Sequence, residues 1–210
     1  MARAFKHLPF EFEAFQRELN EFKQLLAEKP TLSEQKDILP FFHQRPQLAI
    51  QIGTFIAELQ SPDEFVFEFN LFGEFFPDLV VSKQGARDYC FIEFEDASPS
   101  SLFRRIGKGR PSFGARFEQG YSQIVDWFCK LDDMQRTYPM RDLMGYMEVD
   151  YHGILIVGRS QYLNEAMRRR IEWRSLRTMV NMKRIYIFTY DDVYELLREK
   201  LETILLYRRS

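Results

Sequence analysis

The sequence predicts an α/β fold in which a mixed central sheet is flanked by helices and preceded by an N-terminal helical layer. Apolar residues recur at helical spacing over about the first 60 residues, and their period changes to two between Glu64 and Glu95. After Glu118, helix-like and strand-like segments alternate, a pattern typical of a sheet with helices on both faces. We therefore expect a helical layer at 1–60 and a core containing the sheet at 61–210.

Three segments predict the helical layer. The first ends near Pro30, and its apolar residues lie three or four positions apart. These residues are Phe12, Phe15, Leu19, Phe22, Leu25 and Leu26. Thr31-Leu-Ser-Glu34 resembles a capping box and predicts a second helix that extends to Phe42. Pro46 ends that helix, and 48–59 is predicted as a third helix or a continuation of the second.

The sheet is predicted to begin with a three-strand meander. Phenylalanines alternate with other residues from Phe65 to Phe69, which indicates the first strand. Leu79 to Val81 and Tyr89 to Glu95 are the next two, because they are rich in β-branched and aromatic residues and a turn containing Gly85 separates them.

The second half of the chain predicts alternating helices and strands. The expected order is a loop at 96–116, a helix at 118–131, a strand at 151–157, a basic helix at 161–178, a strand at 184–190 and a closing helix to about Leu206. Strands joined by helices pair in parallel through right-handed crossovers, so the sheet should be mixed. Asp191 is the expected N-cap of the closing helix.

Composition excludes several classes of protein. Forty-five per cent hydrophobic residues in a chain of 210 predict a well-filled core rather than disorder. Cys90 and Cys129 give neither a disulfide framework nor metal-ligand spacing, and both are expected to be buried. The chain shows no signal peptide and no apolar run of transmembrane length, which predicts a cytoplasmic protein without a membrane partner.

Charge is distributed unevenly along the chain. Residues 1–100 carry 9 Lys and Arg against 17 Asp and Glu, whereas residues 101–210 carry 20 against 14. Basic residues in the 96–116 loop and the 161–178 helix are predicted to neutralise nucleic-acid phosphates. The candidates are Arg104, Arg105, Lys108, Arg110, Arg116, Arg168 and Arg169. Surface charge that serves solubility is the alternative.

Three carboxylates are predicted to meet at one edge of the sheet. Asp78 begins one strand, and Glu93 and Glu95 lie on the same face of the next, so a tight hairpin would bring them together. Clustered carboxylates bind Mg²⁺, so these three are the candidate metal ligands. The alternative is an edge strand that carries protective charge.

These residues also carry a resemblance to known families. Pro77-Asp78, then Glu93-Phe94-Glu95, then Gln123 on the next helix resembles the PD-(D/E)XK nuclease pattern. Several stretches in roughly 31–205 are more narrowly similar to the nuclease domain of the Shedu anti-phage family. They are Ser33-Glu34 through Phe42, Arg45-Pro46-Gln47-Leu48, the PDLVV strand, Gln123 to Trp127, Ile154 to Arg159 and Ile187 to Asp192.

The resemblance implies roles for individual residues. Asp78 and Glu93 would bind Mg²⁺ or Mn²⁺, and Gln123 would order the site and the attacking water. Glu68 or Glu58 would serve as the upstream acid that some members use, and the sequence does not choose between them.

Glu95 departs from the family pattern, because it occupies the position that usually holds Lys. In its place Glu95 would bind a second ion or accept a proton from water, and the turn residue Lys83 is a candidate for the missing charge.

The expected function is therefore metal-dependent hydrolysis of DNA phosphodiester bonds in bacterial anti-phage defence. Because Glu95 replaces Lys, a catalytically inactive module that binds nucleic acid or a partner protein is the alternative. Homo-oligomerisation through exposed aromatic residues of the first helix is a third, independent hypothesis.

Overall fold

The computed structural model describes residues 5–105 and 109–208. Within these residues the strands are β1 Lys6–His7, β2 Glu64–Phe67, β3 Leu79–Ser82, β4 Asp88–Phe94, β5 Phe103–Arg104, β6 Ser112–Phe113, β7 Asp150–Ile156, β8 Met179–Val180 and β9 Lys183–Phe188. The α-helices are α1 Phe12–Glu28, α2 Leu39–His43, α3 Pro46–Gln51, α4 Ala115–Met134, α5 Tyr138–Met144, α6 Glu165–Arg177 and α7 Tyr190–Arg208.

The central sheet has seven strands in the order β1-β2-β3-β4-β7-β9-β8. Its first four strands form antiparallel pairs, β4, β7 and β9 are parallel neighbours, and β8 closes the edge antiparallel to β9. The β3–β4 turn is tight because Gly85 adopts a φ of +78°, which a residue without a Cβ tolerates best. The mixed sheet and its initial meander are confirmed.

Helices cover both faces of the sheet, as predicted. One face packs α1, α3 and α7 against alternate strand residues such as Ile92 and Ile154. The other packs α4, α5 and α6 against residues that include Phe91 and Leu155. Because the side chains of a strand alternate between faces, β4 sends Glu93 toward α4 and Phe94 toward the N-terminal helices.

The N-terminal helical layer shares one apolar core with the sheet. Phe15 and Phe22 of α1 are fully buried in the cluster that also holds Phe94 and Leu197. The aromatic residues of α1 are therefore covered inside the chain, and the hypothesis that they are exposed for oligomerisation is wrong. The division at residue 60 stays a prediction.

Short elements escaped the sequence analysis. The expected loop at 96–116 contains the antiparallel pair β5–β6, and β1, β8 and α5 were also missed. Two-residue strands are too short to show a period in the sequence, so they depend on tertiary pairing alone. The helices at 31–59 begin with a π-helix, Glu34–Ile38, and α3 continues as a 3-10 helix, Ile52–Phe55.

Two capping predictions are wrong. Ser33, not Thr31, precedes the first turn of the second helical segment, and its backbone N–H donates to Asp37 Oδ2 at 2.8 Å. At α7 the reciprocal cap is between Thr189 and Asp192, each accepting from the other's backbone N–H. Asp191 instead pairs with the buried Arg159.

Two further features concern exposure. Cys90 is buried as expected, but Cys129 is exposed, because it lies on the outer side of α4. None of the described helices is long and apolar enough to span a lipid bilayer.

Candidate active site

Asp78 and Glu93 lie opposite each other on neighbouring strands. Leu79 pairs with Ile92 across β3 and β4, so the residues that flank this pair, Asp78 and Glu93, face each other on the side of the sheet covered by α4. The backbone N–H of Phe94 donates to Asp78 Oδ2 at 2.8 Å, which fixes the Asp78 carboxyl group across the strand ends.

Glu95 follows β4 directly and is 1% exposed. Its backbone N–H donates to the Ile156 carbonyl at 2.9 Å, and its carbonyl accepts from the Tyr190 hydroxyl at 2.8 Å. Helix α4 crosses above it at Gly120, where an added Cβ would lie 3.0 Å from Glu95 Cγ and 2.6 Å from Leu155 Cδ1. The sequence uses glycine here because the helix backbone approaches the sheet too closely for a side chain.

The three predicted carboxyl groups share a strongly acidic, buried environment. Burial raises the pKa of Asp78 to about 7, and repulsion from Glu34 and Glu68 acts in the same direction. Burial and the neighbouring charges of Asp78 and Glu95 raise the pKa of Glu93 well above its ordinary value. Because their carboxyl groups are buried next to each other, a charge on Asp78 raises the pKa of Glu93 further.

Glu95 has a raised pKa for similar reasons. Burial is the largest cause and raises its pKa to about 8, with repulsion from Glu34 next, while the positive charge of Arg116 lowers it. The charge of Asp78 acts on both Glu93 and Glu95, so the three carboxyl groups lie near one another, and their role as a metal site stays a prediction.

Glu34 is a fourth acid of this cluster, and the sequence analysis assigned it only to a cap. An antiparallel bridge between Leu32 and Ala97 brings the segment before the second helix to the end of β4. The Glu34 N–H then donates to Asp96 Oδ1 at 2.8 Å. The only sequence signal was Ser33-Glu34 among the stretches that resemble the Shedu domain.

Unlike the other predicted phosphate-binding residues, Arg116 contacts the acidic cluster. Its Nη1 lies 3.4 Å from Glu34 Oε2 and 3.5 Å from Glu95 Oε2, and its Nε lies 3.1 Å from Asp96 Oδ2. With 44% of its side chain exposed, Arg116 forms the solvent-facing side of the cluster.

Gln123 lies one turn after Gly120 on the same side of α4. Within the described residues, neither its buried Oε1 nor the buried Glu93 Oε2 has a hydrogen-bond partner. Such orphaned oxygen atoms cost free energy unless a cation or a water molecule satisfies them. Over the same residues, no three His, Cys, Asp or Glu side chains are already arranged to hold a metal ion.

Of the two candidates for the upstream acid, only Glu68 lies near Asp78. Glu68 donates its N–H to the Asp78 carbonyl at 2.9 Å, and its charge raises the pKa of Asp78. Glu58 is exposed in a turn after the 3-10 helix. Lys83 lies at the end of β3 opposite to Asp78, so it is too far away to replace the missing lysine charge.

The predicted phosphate-binding residues do not form one continuous surface. Arg110 and Arg169 line a groove of about 840 Å³ between β6 and α6, and Arg104 and Arg105 line a neighbouring groove of about 640 Å³. Arg168 instead bonds to the Ser160 carbonyl at 2.8 Å. Lys108, the remaining candidate besides Arg116, lies outside the described residues.

Comparison with known families agrees with the resemblance in the sequence. The family model described as Shedu protein SduA, C-terminal, matches residues 31–194, which is most of the chain. Comparison with curated proteins gives no match.

Proposed function

The chain belongs to the Shedu family, and from that premise we propose that it is a metal-dependent endodeoxyribonuclease of the PD-(D/E)XK type, active in bacterial anti-phage defence. The observation that carries the proposal is the convergence of Asp78, Glu93 and Glu95 beneath α4, at the carboxyl end of a parallel strand. Open α/β sheets bind ligands at that end of their strands.

The donor set of the cluster fits Mg²⁺ or Mn²⁺. Carboxylate and amide oxygens are the ligands that these hard cations prefer, and Glu93 Oε2 and Gln123 Oε1 are buried oxygen atoms that need a partner. Asp78 and Glu93 would hold the cation, with Glu95 in reach of a second one. A bound cation supplies an activated water molecule and stabilises the charge on the phosphate.

Each remaining residue has a role that follows from its place. Gln123, whose buried Oε1 has no partner among the described residues, would orient the attacking water with its amide. Glu95 would accept the proton from that water, because it is a buried carboxyl group whose pKa burial raises.

Arg116 performs the electrostatic task of the lysine that the family pattern places at Glu95. Its guanidinium already lies 3.5 Å from Glu95 Oε2 and is partly exposed. From there it donates to the non-bridging oxygens of a phosphate and stabilises their negative charge. Arginine keeps its positive charge at any physiological pH, so it performs no proton transfer.

A cleavage assay tests the proposal. Purified protein is incubated with supercoiled and linear DNA plus Mg²⁺ or Mn²⁺, beside a variant that combines Asp78→Asn and Glu93→Gln. The wild type should cut and the double variant should lose at least 100-fold in rate, because the isosteric amides cannot hold the cation. Glu58→Gln is the matched control, since it changes an exposed carboxylate outside the cluster and should cut normally.

Metal binding is measured separately from cleavage. Mg²⁺ or Mn²⁺ should raise the melting temperature of the wild type and of Glu58→Gln, but not that of the double variant. Cleavage that survives in the double variant contradicts the proposal.

A second function is favoured by the contact between Arg116 and Glu95. In a catalytically inactive module, the guanidinium would neutralise the cluster permanently and no metal would bind. That module would bind nucleic acid or a partner protein, and it would show neither cleavage nor a metal-dependent rise in melting temperature.

A further inference from the structure

A basic and aromatic groove lies between β6 and α6, separate from the carboxylate cluster. It has a volume of about 840 Å³, and none of the described residues that line it is acidic. Four of those residues are arginines: Arg110, Arg169, Arg170 and Arg174. Such a charge distribution attracts a polyanion.

The floor of this groove is rigid. Four rings form a continuous stacked column, with centroids 4.8, 4.4 and 6.0 Å apart in the order Phe103, Phe113, Phe117 and Tyr121. Arg170 packs over the first two rings, and Arg174 packs over the other two as well as Phe113. Arg174 also donates two hydrogen bonds to the Glu118 carboxylate, at 2.8 and 2.9 Å.

The rim of the groove carries groups that are available to a ligand. The indole of Trp173 is 65% exposed, although a tryptophan normally buries most of its surface. Arg110 and Arg169 are exposed beside it, and among the described residues neither has an acidic partner within salt-bridge distance. Two unneutralised guanidinium groups next to an exposed aromatic ring are what a strand of nucleic acid needs for its phosphates and one base.

From this arrangement we infer that the groove binds an unpaired strand of DNA, with a base stacked on Trp173. An aromatic side chain stacks on the face of a base, and that face is accessible only when the base is unpaired. A duplex offers the groove its phosphates alone. The inference rests on the proposed function only for the choice of DNA as the nucleic acid.

The groove and the carboxylate cluster lie on opposite sides of the start of α4. The first turn of α4 separates the two, because Arg116 points to Glu95 on one side and Glu118 points to Arg174 on the other. A helix is about 10 Å across with its side chains. One strand can therefore occupy the groove while a phosphate a short distance along it lies at the cluster.

Intrinsic fluorescence gives a direct test, since the chain has two tryptophans and Trp127 is 1% exposed. Protein in a chelator, where no hydrolysis occurs, is titrated with a short oligothymidine and with a blunt duplex of the same length. The single strand should quench the emission of Trp173, and the duplex should bind without quenching it.

Substitutions make the test specific. Trp173→Ala should weaken binding of the oligothymidine on the order of tenfold, while duplex binding, followed by anisotropy, stays unchanged. Trp173→Phe should retain most of the affinity, because a phenyl ring still stacks. Tyr207→Ala removes an exposed aromatic residue from the end of α7 and should bind like the wild type.

Two results overturn the inference: binding of the single strand without quenching, or equal affinity of Trp173→Ala and the wild type. A titration with oligouridine adds a third, because tighter binding of RNA than of DNA rejects DNA as the occupant. The result is independent of catalysis, since the Asp78→Asn and Glu93→Gln double variant should bind the oligothymidine through Trp173 even if the wild type never cuts.

Discussion

Arg116 shows how one residue can change what a site is able to do. In the proposed nuclease site, the position of Glu95 would usually hold a lysine, and in this chain the nearby positive charge comes from Arg116 on α4. The site still places a positive charge next to a carboxylate, but the strand supplies the carboxylate of Glu95 and the helix α4 supplies the positive charge of Arg116. Sequence alone assigned Arg116 to the basic loop, because the contact joins residues 21 positions apart and depends on how α4 docks.

The raised pKa values of the cluster predict how stability depends on pH. Asp78 and Glu95 have pKa values of about 7 and 8, against ordinary values of 3.8 and 4.5, so between these limits the folded protein binds more protons than the unfolded chain. Their contribution to stability is complete below about pH 4 and is lost as the pH rises toward 8. In a chelator, the free energy of unfolding should fall by about 6 kcal/mol between pH 5 and pH 8.

Urea unfolding at a series of pH values measures this dependence. The Asp78→Asn and Glu93→Gln double variant should show a flatter profile, because its amides do not titrate, and Glu58→Gln should behave like the wild type. Added Mg²⁺ should restore more stability at pH 8 than at pH 5, where protons compete for the carboxylates. A wild-type free energy that rises over this range contradicts the protonated state of the cluster.

At the scale of elements, α4 determines the geometry of the site because it brings Gly120 and Arg116 against Glu95. Its existence and its apolar face were predictable from the spacing of Tyr121, Ile124 and Phe128. Its close approach to β4 and β7 was not, since a single glycine in a helix has many explanations. The proximity of the carboxylates on β3 and β4 was predictable, because a short hairpin allows only one pairing register between its two strands. The place of Glu34 depends on a distant bridge between Leu32 and Ala97, and β5 and β6 are too short to show a period in the sequence.

Gly120→Ala tests the approach of α4 to the sheet. In an ordinary helix this substitution stabilises by about 1 kcal/mol. Here the new Cβ would lie 2.6 Å from Leu155 Cδ1, so the free energy of unfolding should fall by about 1–3 kcal/mol. Cleavage should fall with it, because Glu95 is displaced. Ser122→Ala, at an exposed position of the same helix, is the matched control and should change stability by less than about 0.5 kcal/mol. A more stable Gly120→Ala protein would show that the helix lies further from the sheet.

At the scale of the whole molecule, the N-terminal helices and the sheet share one apolar core. The core on their side of the sheet is continuous from α1 to α7, and Arg159 ties the two helices together. Its guanidinium donates to the carbonyls of Leu26 and Lys29 at the end of α1, at 2.9 and 2.7 Å, and pairs with Asp191 at the start of α7. No local pattern predicts this role of Arg159, because the ends of α1 and α7 come together solely in the folded chain.

Arg159→Met should therefore destabilise the entire molecule. The substitution keeps the volume of the side chain but leaves two helix carbonyls and the Asp191 carboxylate without their partner, and loss of one member of a buried ion pair costs about 3–5 kcal/mol. Arg198→Met removes an exposed arginine that pairs with Glu195 and Glu202 along α7, so it should cost less than about 1 kcal/mol. In both variants, urea unfolding followed by far-ultraviolet circular dichroism and by tryptophan fluorescence should give coincident single transitions, because α1 has no core of its own. Separate transitions in Arg159→Met, with fluorescence unchanged while part of the helical signal is lost, would instead show that residues 1–60 unfold as an independent domain.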